Sequence, residues 1–223
     1  MWRGESSRTA IVGGAILVFL ACCVLPLVHL LATSLTRADA YATLLLDARQ
    51  RRVLASTAIL ASGTAILATR LGVPLGVALA RIALPFKAAL RVALTVPVLL
   101  PPYVLGLAWT YLWSGSGPVA RLVGRDVPGE WTYSLTGAVI VLAIALYPLS
   151  MLATEAAIRE VDGRLEDAAR IVVSPGRVLW RITLPLAAPA IAAAALVIFV
   201  LAASEFGVPG LLRVRVYTTE VFT

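Results

Sequence analysis

Few side chains in this 223-residue sequence are equipped to make or break bonds. The one histidine, His29, and the two cysteines, Cys22 and Cys23, all fall in the first apolar run. Adjacent cysteines cannot form a framework disulfide, and one histidine beside them completes no metal site, so they read as packing residues. No G-x-x-x-x-G-K-[ST] stretch occurs, so nothing here cradles nucleotide phosphates. Neither H-E-x-x-H nor a Ser-His-Asp set is present. Polar chemistry is concentrated instead in TEAAIREVDGRLEDAAR, residues 154–170, where eight of the sixteen residues from Glu155 to Arg170 are charged, against 14% of the whole chain. Elsewhere, Glu205 is the acid that closes an apolar run and Arg70 sits inside another. Ionisable groups at such positions are functional candidates. With Pro101, Pro102 and Tyr103 of a proline-bent segment, Glu205 is a candidate for lining a pathway or gate.

The elements that must position these groups follow from composition. Hydrophobic residues make up 60% of the chain and mean hydropathy is +0.92, well beyond the roughly 45–50% apolar content of soluble domains. Runs free of Asp, Glu, Lys and Arg cover 9–36, 53–69, 92–120, 131–154 and 182–204. About 20 apolar residues cross a bilayer, so four runs qualify outright, and the fifth does if its helix continues past Arg70 to about Ala80. This predicts an all-α, polytopic membrane protein with spans at about 10–34, 53–80, 92–113, 133–157 and 182–207. Residues 1–52 form an N-terminal helix with an outer loop, and 53–223 the membrane core. The first run is too long for a cleaved signal's apolar region. The chain closes on VYTTEVFT with no further helix, which reads as one half, or a fragment, of a longer chain.

The net charge of +7 comes almost wholly from arginines spread between spans. That suits anionic lipid headgroups and not nucleic acid. With the polar segment on the cytoplasmic side, ten basic residues lie there and eight lie outside, a slight positive-inside bias.

Within the polar segment, Leu165, Ala168, Ala169 and Val172 recur at i, i+3, i+4 and i+7, one apolar stripe of a helix. Glu166 and Arg170 are spaced for a surface pair of about 0.3–0.5 kcal/mol. Asp162 is placed as an N-cap. Ser174 and Pro175 suit the N-cap and first position of a second short helix. A stripe of small residues fits a protein groove better than a lipid surface.

LEDAARIVVSPGRVLWRITLPLAAP, residues 165–189, resembles the cytoplasmic signature loop of ATP-binding-cassette (ABC) importer permeases. That signature is E-A-A, three residues, Gly, about nine residues, then I-x-L-P. Asp167, Ala168 and Ala169 take the first positions and Ile182, Leu184 and Pro185 the last. Asp stands where Glu is usual, and the glycine is missing. The literal Glu155-Ala156-Ala157 ends a span and has no I-x-L-P at the required distance, so it is set aside. VLASTAILASGTAILATRLGVPLGVALAR (53–81), PVLLPPYVLGLAW (97–109) and SEFGVPGLL (204–212) are similar to the iron(III)-type permeases.

The resemblance implies a MetI-like permease fold in a bacterial inner membrane. Leu165, Glu166, Asp167, Ala168, Ala169, Arg170, Ser174 and Pro175 would form the docking segment for a cytoplasmic ABC ATPase dimer. It further implies a periplasmic substrate-binding protein, a second permease half or subunit, ATP used by the partner rather than bound here, and cargo such as iron(III). Two other readings of the residues remain open: an ATP-independent secondary transporter, and a membrane anchor for a soluble partner.

Overall fold

A computed structural model describes residues 12–14, 18–21, 24–29, 31–33, 47–83, 85–115, 117–123, 129–161, 163 and 173–221. Every described element is helical. Residues 1–51 and 52–223 form two compact units. The first carries helix α1 (Val12–Thr33), long and apolar enough to cross a membrane.

The second unit holds most of α2 (Ala48–Arg81), α3 (Lys87–Leu99) and α4 (Pro102–Leu112). The short α5 (Pro118–Val123) and α6 (Gly129–Thr132) follow, then α7 (Leu135–Glu160). The continuous helix α8 (Pro175–Ser204) and the short α9 (Gly207–Leu211) and α10 (Tyr217–Val221) complete it. Its core gathers Leu60, Ala65 and Ala68 of α2, Val141, Leu142 and Leu146 of α7, Ile198 and Ala202 of α8, and Val208, Leu212 and Val216 of the tail. On α8, by contrast, Leu186, Leu196, Val197, Val200 and Leu201 are exposed, as residues facing lipid or another subunit are.

α2 and α7 touch backbone to backbone because α2 carries Gly72-x-x-x-Gly76. A Cβ on Gly72 would stand 2.7 Å from the Tyr147 carbonyl oxygen, and one on Gly76 2.5 Å from that of Met151. Lipid offers apolar side chains no reason to prefer each other, so close approach through small residues is what holds membrane helices together. Gly63 meets Val139, Gly72 meets Met151 and Gly76 meets Glu155, so α2 and α7 run parallel.

The third predicted span, 92–113, is broken: α3 and α4 meet at 93°. Tandem proline accounts for this. A residue preceding proline is pushed out of the α region, so Leu100 is extended (φ −86°, ψ 135°) and Pro101 likewise (φ −54°, ψ 131°). Pro102 then starts a new helix at the position where proline's missing N–H is harmless.

The bent pair nevertheless spans the bundle. At one end Arg91 reaches Glu155 near the end of α7, and the Tyr147 hydroxyl donates to the Leu94 carbonyl at 2.9 Å. At the other, Trp109 Nε1 lies beside Gly137 and donates to the Thr132 carbonyl at 3.4 Å. The 18 steps from Gly137 to Glu155 rise about 27 Å. Legs of 13 and 11 residues at right angles subtend about 26 Å, close to the ~30 Å of bilayer hydrocarbon. The pair is a broken span and not a re-entrant loop.

The tail packs on this far end. Tyr217 N donates to Thr57 Oγ1 and Thr218 Oγ1 to the Glu205 carbonyl, both at 2.9 Å. The Arg213 guanidinium sits 5.5 Å over the Tyr133 ring.

The start of α8 differs from expectation. The sequence predicts a short helix from Ser174 and then a separate span from residue 182. One helix runs through instead, with a π-turn over Leu179–Thr183. Pro185 cannot donate to the carbonyl four residues back. The wider turn absorbs the mismatch, and Leu184 N donates to the Leu179 carbonyl, five residues back.

Candidate functional site

The four pathway candidates, separated by a hundred residues, come together. Pro101, Pro102, Tyr103 and Glu205 line one cleft of about 650 Å³ with Phe206, Gly207, Gly210 and Leu211. The bend supplies one wall, the α8–α9 junction the other. The walls approach at two glycines: a Cβ on Gly106 would lie 2.9 Å from Leu211 Cδ2, and one on Gly207 3.5 Å from Tyr103. At Gly106 the Leu211 side chain would have to turn aside, whereas at Gly207 the Tyr103 contact would be an ordinary one and the nearer neighbour is Glu205 Oε1 at 3.0 Å.

Glu205 has a second task. It ends α8, and its Oε1 accepts from Gly207 N at 2.9 Å and Val208 N at 3.4 Å, satisfying amides at the start of α9. Tyr103 is half-exposed, at 46%, so its ring and hydroxyl are available to whatever occupies the cleft. The lining is apolar except for that hydroxyl and one carboxylate. Arg70, the other ionisable group within a span, is exposed on α2 and is not among the lining residues.

The docking segment is only partly described. Leu165, Glu166, Asp167, Ala168, Ala169 and Arg170 lie outside the described residues. Ser174 does occupy the N-cap position of α8 and Pro175 the first helical position, but the cap is made by the main chain: the Ser174 carbonyl accepts from Arg177 N at 2.9 Å and Val178 N at 3.1 Å, with no side-chain cap bond. Ile182 lies in the π-turn, with Leu184 and Pro185 directly after it. Val178, Thr183 and Ala187 are the buried face here, and Trp180 is 73% exposed.

The triplet set aside in the sequence is not inert. Glu155 is 1% exposed, and both its oxygens face arginine: Oε1 accepts from Arg159 at 2.5 Å, and Oε2 lies 3.1 Å from Arg91 Nε. The Arg91 N–H is not aligned on Oε2, so that contact is an ion pair and not a hydrogen bond. The i, i+4 spacing of Glu155 and Arg159 was legible in sequence. Arg91, 64 positions away, carried no local signal.

Together these features define a polytopic helical membrane protein with a broken central span and a cleft at one end. Residues 72–215 match the family of binding-protein-dependent transport system inner membrane components. The chain belongs to that family and, with its several apolar spans, is a multi-pass protein of the bacterial inner membrane. It is 30% identical over 149 residues to the molybdenum transport system permease protein ModB of Mycobacterium bovis, covering 66% of this chain and 56% of that one. To ModB of Escherichia coli K12 it is 32% identical over 146 residues, covering 63% and 64%. The putative ferric transport system permease protein FbpB 1 of Haemophilus influenzae is 25% identical over 162 residues, 71% of this chain and 26% of that one. The chain thus spans less than two thirds of the length of these relatives. The fold matches a crystal structure of a bacterial alginate ABC transporter in complex with an alginate pentasaccharide-bound periplasmic protein. The TM-score is 0.74 at 15% identity, covering 98% of this chain and 82% of that one.

Proposed function

We propose that this chain is the membrane-spanning permease of an ABC importer, forming part of the solute pathway and docking a separate cytoplasmic ATPase through residues 163–173. The observation that carries the reading is the order of the two motifs along the chain: Asp167-Ala168-Ala169 in the segment that joins α7 to α8, then Ile182-x-Leu184-Pro185 in the first turns of α8. These two spans reach the side that carries Arg81, Lys87, Arg91, Arg159, Arg177 and Arg181; with ten basic residues on that side of the sequence against eight on the other, the slight positive-inside bias favours the cytoplasm. The cleft at Pro101, Pro102, Tyr103 and Glu205 lies toward the opposite end, where a binding protein would deliver solute. ATP is bound and hydrolysed by the partner. The cargo is a small inorganic ion, the class to which the named cargoes of the ModB and FbpB relatives belong. Calorimetry of the cognate binding protein with molybdate and with ferric iron distinguishes the two.

The docking reading is tested in the complete transporter. Ala168→Trp blocks close approach of the small-residue stripe. Asp167→Arg removes a partner contact worth about 1–3 kcal/mol if charge-assisted and buried. Both variants are expected to reach normal membrane levels yet lose ATPase association. Ala156 is exposed on α7, and Ala156→Trp is expected to keep it. Association retained in Ala168→Trp and lost in Ala156→Trp would place docking at Glu155-Ala156-Ala157 instead.

A further inference from the structure

Three helices meet at Glu155. α7 carries it, α2 presses Gly76 against its backbone (an added Cβ would lie 3.1 Å from Glu155 N), and α3 supplies Arg91. The carboxylate is buried while the two arginine side chains are half-exposed, at 48% and 50%. A buried carboxylate is tolerated only when opposite charge and hydrogen bonds replace its lost water. Here one of the two replacements comes from its own helix and the other from a neighbouring one.

That neighbour leads to the cleft. α3 runs from Arg91 to the bend, and the bend presents Pro101, Pro102 and Tyr103 beside Glu205. In the opposite direction, Glu155 stands five residues before the end of α7 at Glu160, where the segment to α8 begins. The ion pair therefore joins the base of the broken span to the helix from which the docking segment hangs. It holds by charge without hydrogen-bond alignment.

We propose that Glu155 is a positioning residue for transport: its ion pair with Arg91 ties α3 to α7, so that displacement of the docking segment is carried into the cleft. This rests on the permease reading above. The test uses the complete transporter in proteoliposomes and reads ATP hydrolysis with and without saturating binding protein, with co-purification of the ATPase scored in parallel. Glu155→Gln and Arg91→Leu are each expected to abolish stimulation by the binding protein while the ATPase stays bound. The double variant Arg91→Leu/Glu155→Leu is expected to be no worse than either single change, because one link is lost in all three. Arg91→Lys is expected to restore stimulation. Arg159→Leu is expected to leave it intact, since that contact never leaves α7. Wild-type stimulation in Arg91→Leu and Glu155→Gln would overturn the proposal. So would loss of stimulation only where the ATPase no longer co-purifies, because Glu155 would then be a folding residue. If the unmutated chain retains no ATPase, the permease reading itself falls and the proposal falls with it, an outcome visible before any variant is made.

Discussion

At the scale of single residues, acids near the two ends of the bundle behave differently although the sequence presents them alike. Glu205 gives one oxygen to the amides of Gly207 and Val208 and also borders the cleft. Substitutions separate the two roles. Glu205→Gln keeps an acceptor for the amides and removes the charge; Glu205→Ala removes both. Loss of a helix cap costs about 1 kcal/mol, so Ala is expected to lower the unfolding temperature of the detergent-solubilised protein and Gln to lower it little. If the charge serves the passing solute, both variants depress uptake alike. Uptake reduced only by Ala would leave Glu205 as a cap alone. The position of Glu205 at the end of a span is readable from the sequence. Its use as a cap is not, because Gly207 becomes a helix start only once α9 packs on α4. Glu155 is the opposite case. One of its arginine partners, Arg159, stands at a legible i, i+4 spacing on its own helix, while the other, Arg91, lies on another helix.

At the scale of elements, each charge-free run falls on a long apolar helix or on the bent pair, because bilayer thickness sets a length that few other folds demand. They misplaced the ends. α2 begins at Ala48 and includes Arg49, Arg51 and Arg52, since a helix continues into the headgroup layer where arginine is welcome. The prolines at 101 and 102 signalled a bend; its 93° follows from two consecutive extended residues, which the pair of prolines enforces. The π-turn at Leu179–Thr183 was hidden, because Pro185 reads equally well as a helix start. Close packing of α2 on α7 gives a prediction of its own. A Cβ at Gly76 would meet backbone, 2.5 Å from the Met151 oxygen, whereas one at Gly63 would meet only the Val139 methyls at 3.3 Å. Gly76→Ala is expected to destabilise by roughly 1–3 kcal/mol, as overpacking does, and Gly63→Ala by much less. Equal thermal shifts in detergent would show that α2 and α7 are free to separate.

At the scale of the whole molecule, the sequence supplied an orientation only weakly, by ten basic residues against eight. The contacts within residues 52–223 add the missing relation. Arg91 and Arg159 meet Glu155 at one end of α7, while Arg213 meets Tyr133 at the other. With the first end cytoplasmic, a cysteine replacing Arg121 or Arg215 is expected to react with an impermeant maleimide in intact cells. One replacing Arg177 or Arg181 is expected to react only after permeabilisation, and the reverse pattern would invert the topology. The broken span also bears on how the chain is made. Its legs of 13 and 11 residues are each shorter than the roughly 20 residues a bilayer-crossing helix needs, and the bend leaves main-chain polar groups that hydrocarbon does not satisfy. The segment 87–112 is therefore a poor passenger for the insertion machinery by itself. It becomes a stable crossing when Tyr147, Glu155 and the Thr132 carbonyl arrive to meet it, and all three are synthesised later. The contacts that complete this crossing therefore form only after α7 has been made, so the order of synthesis bears on how the fold is reached.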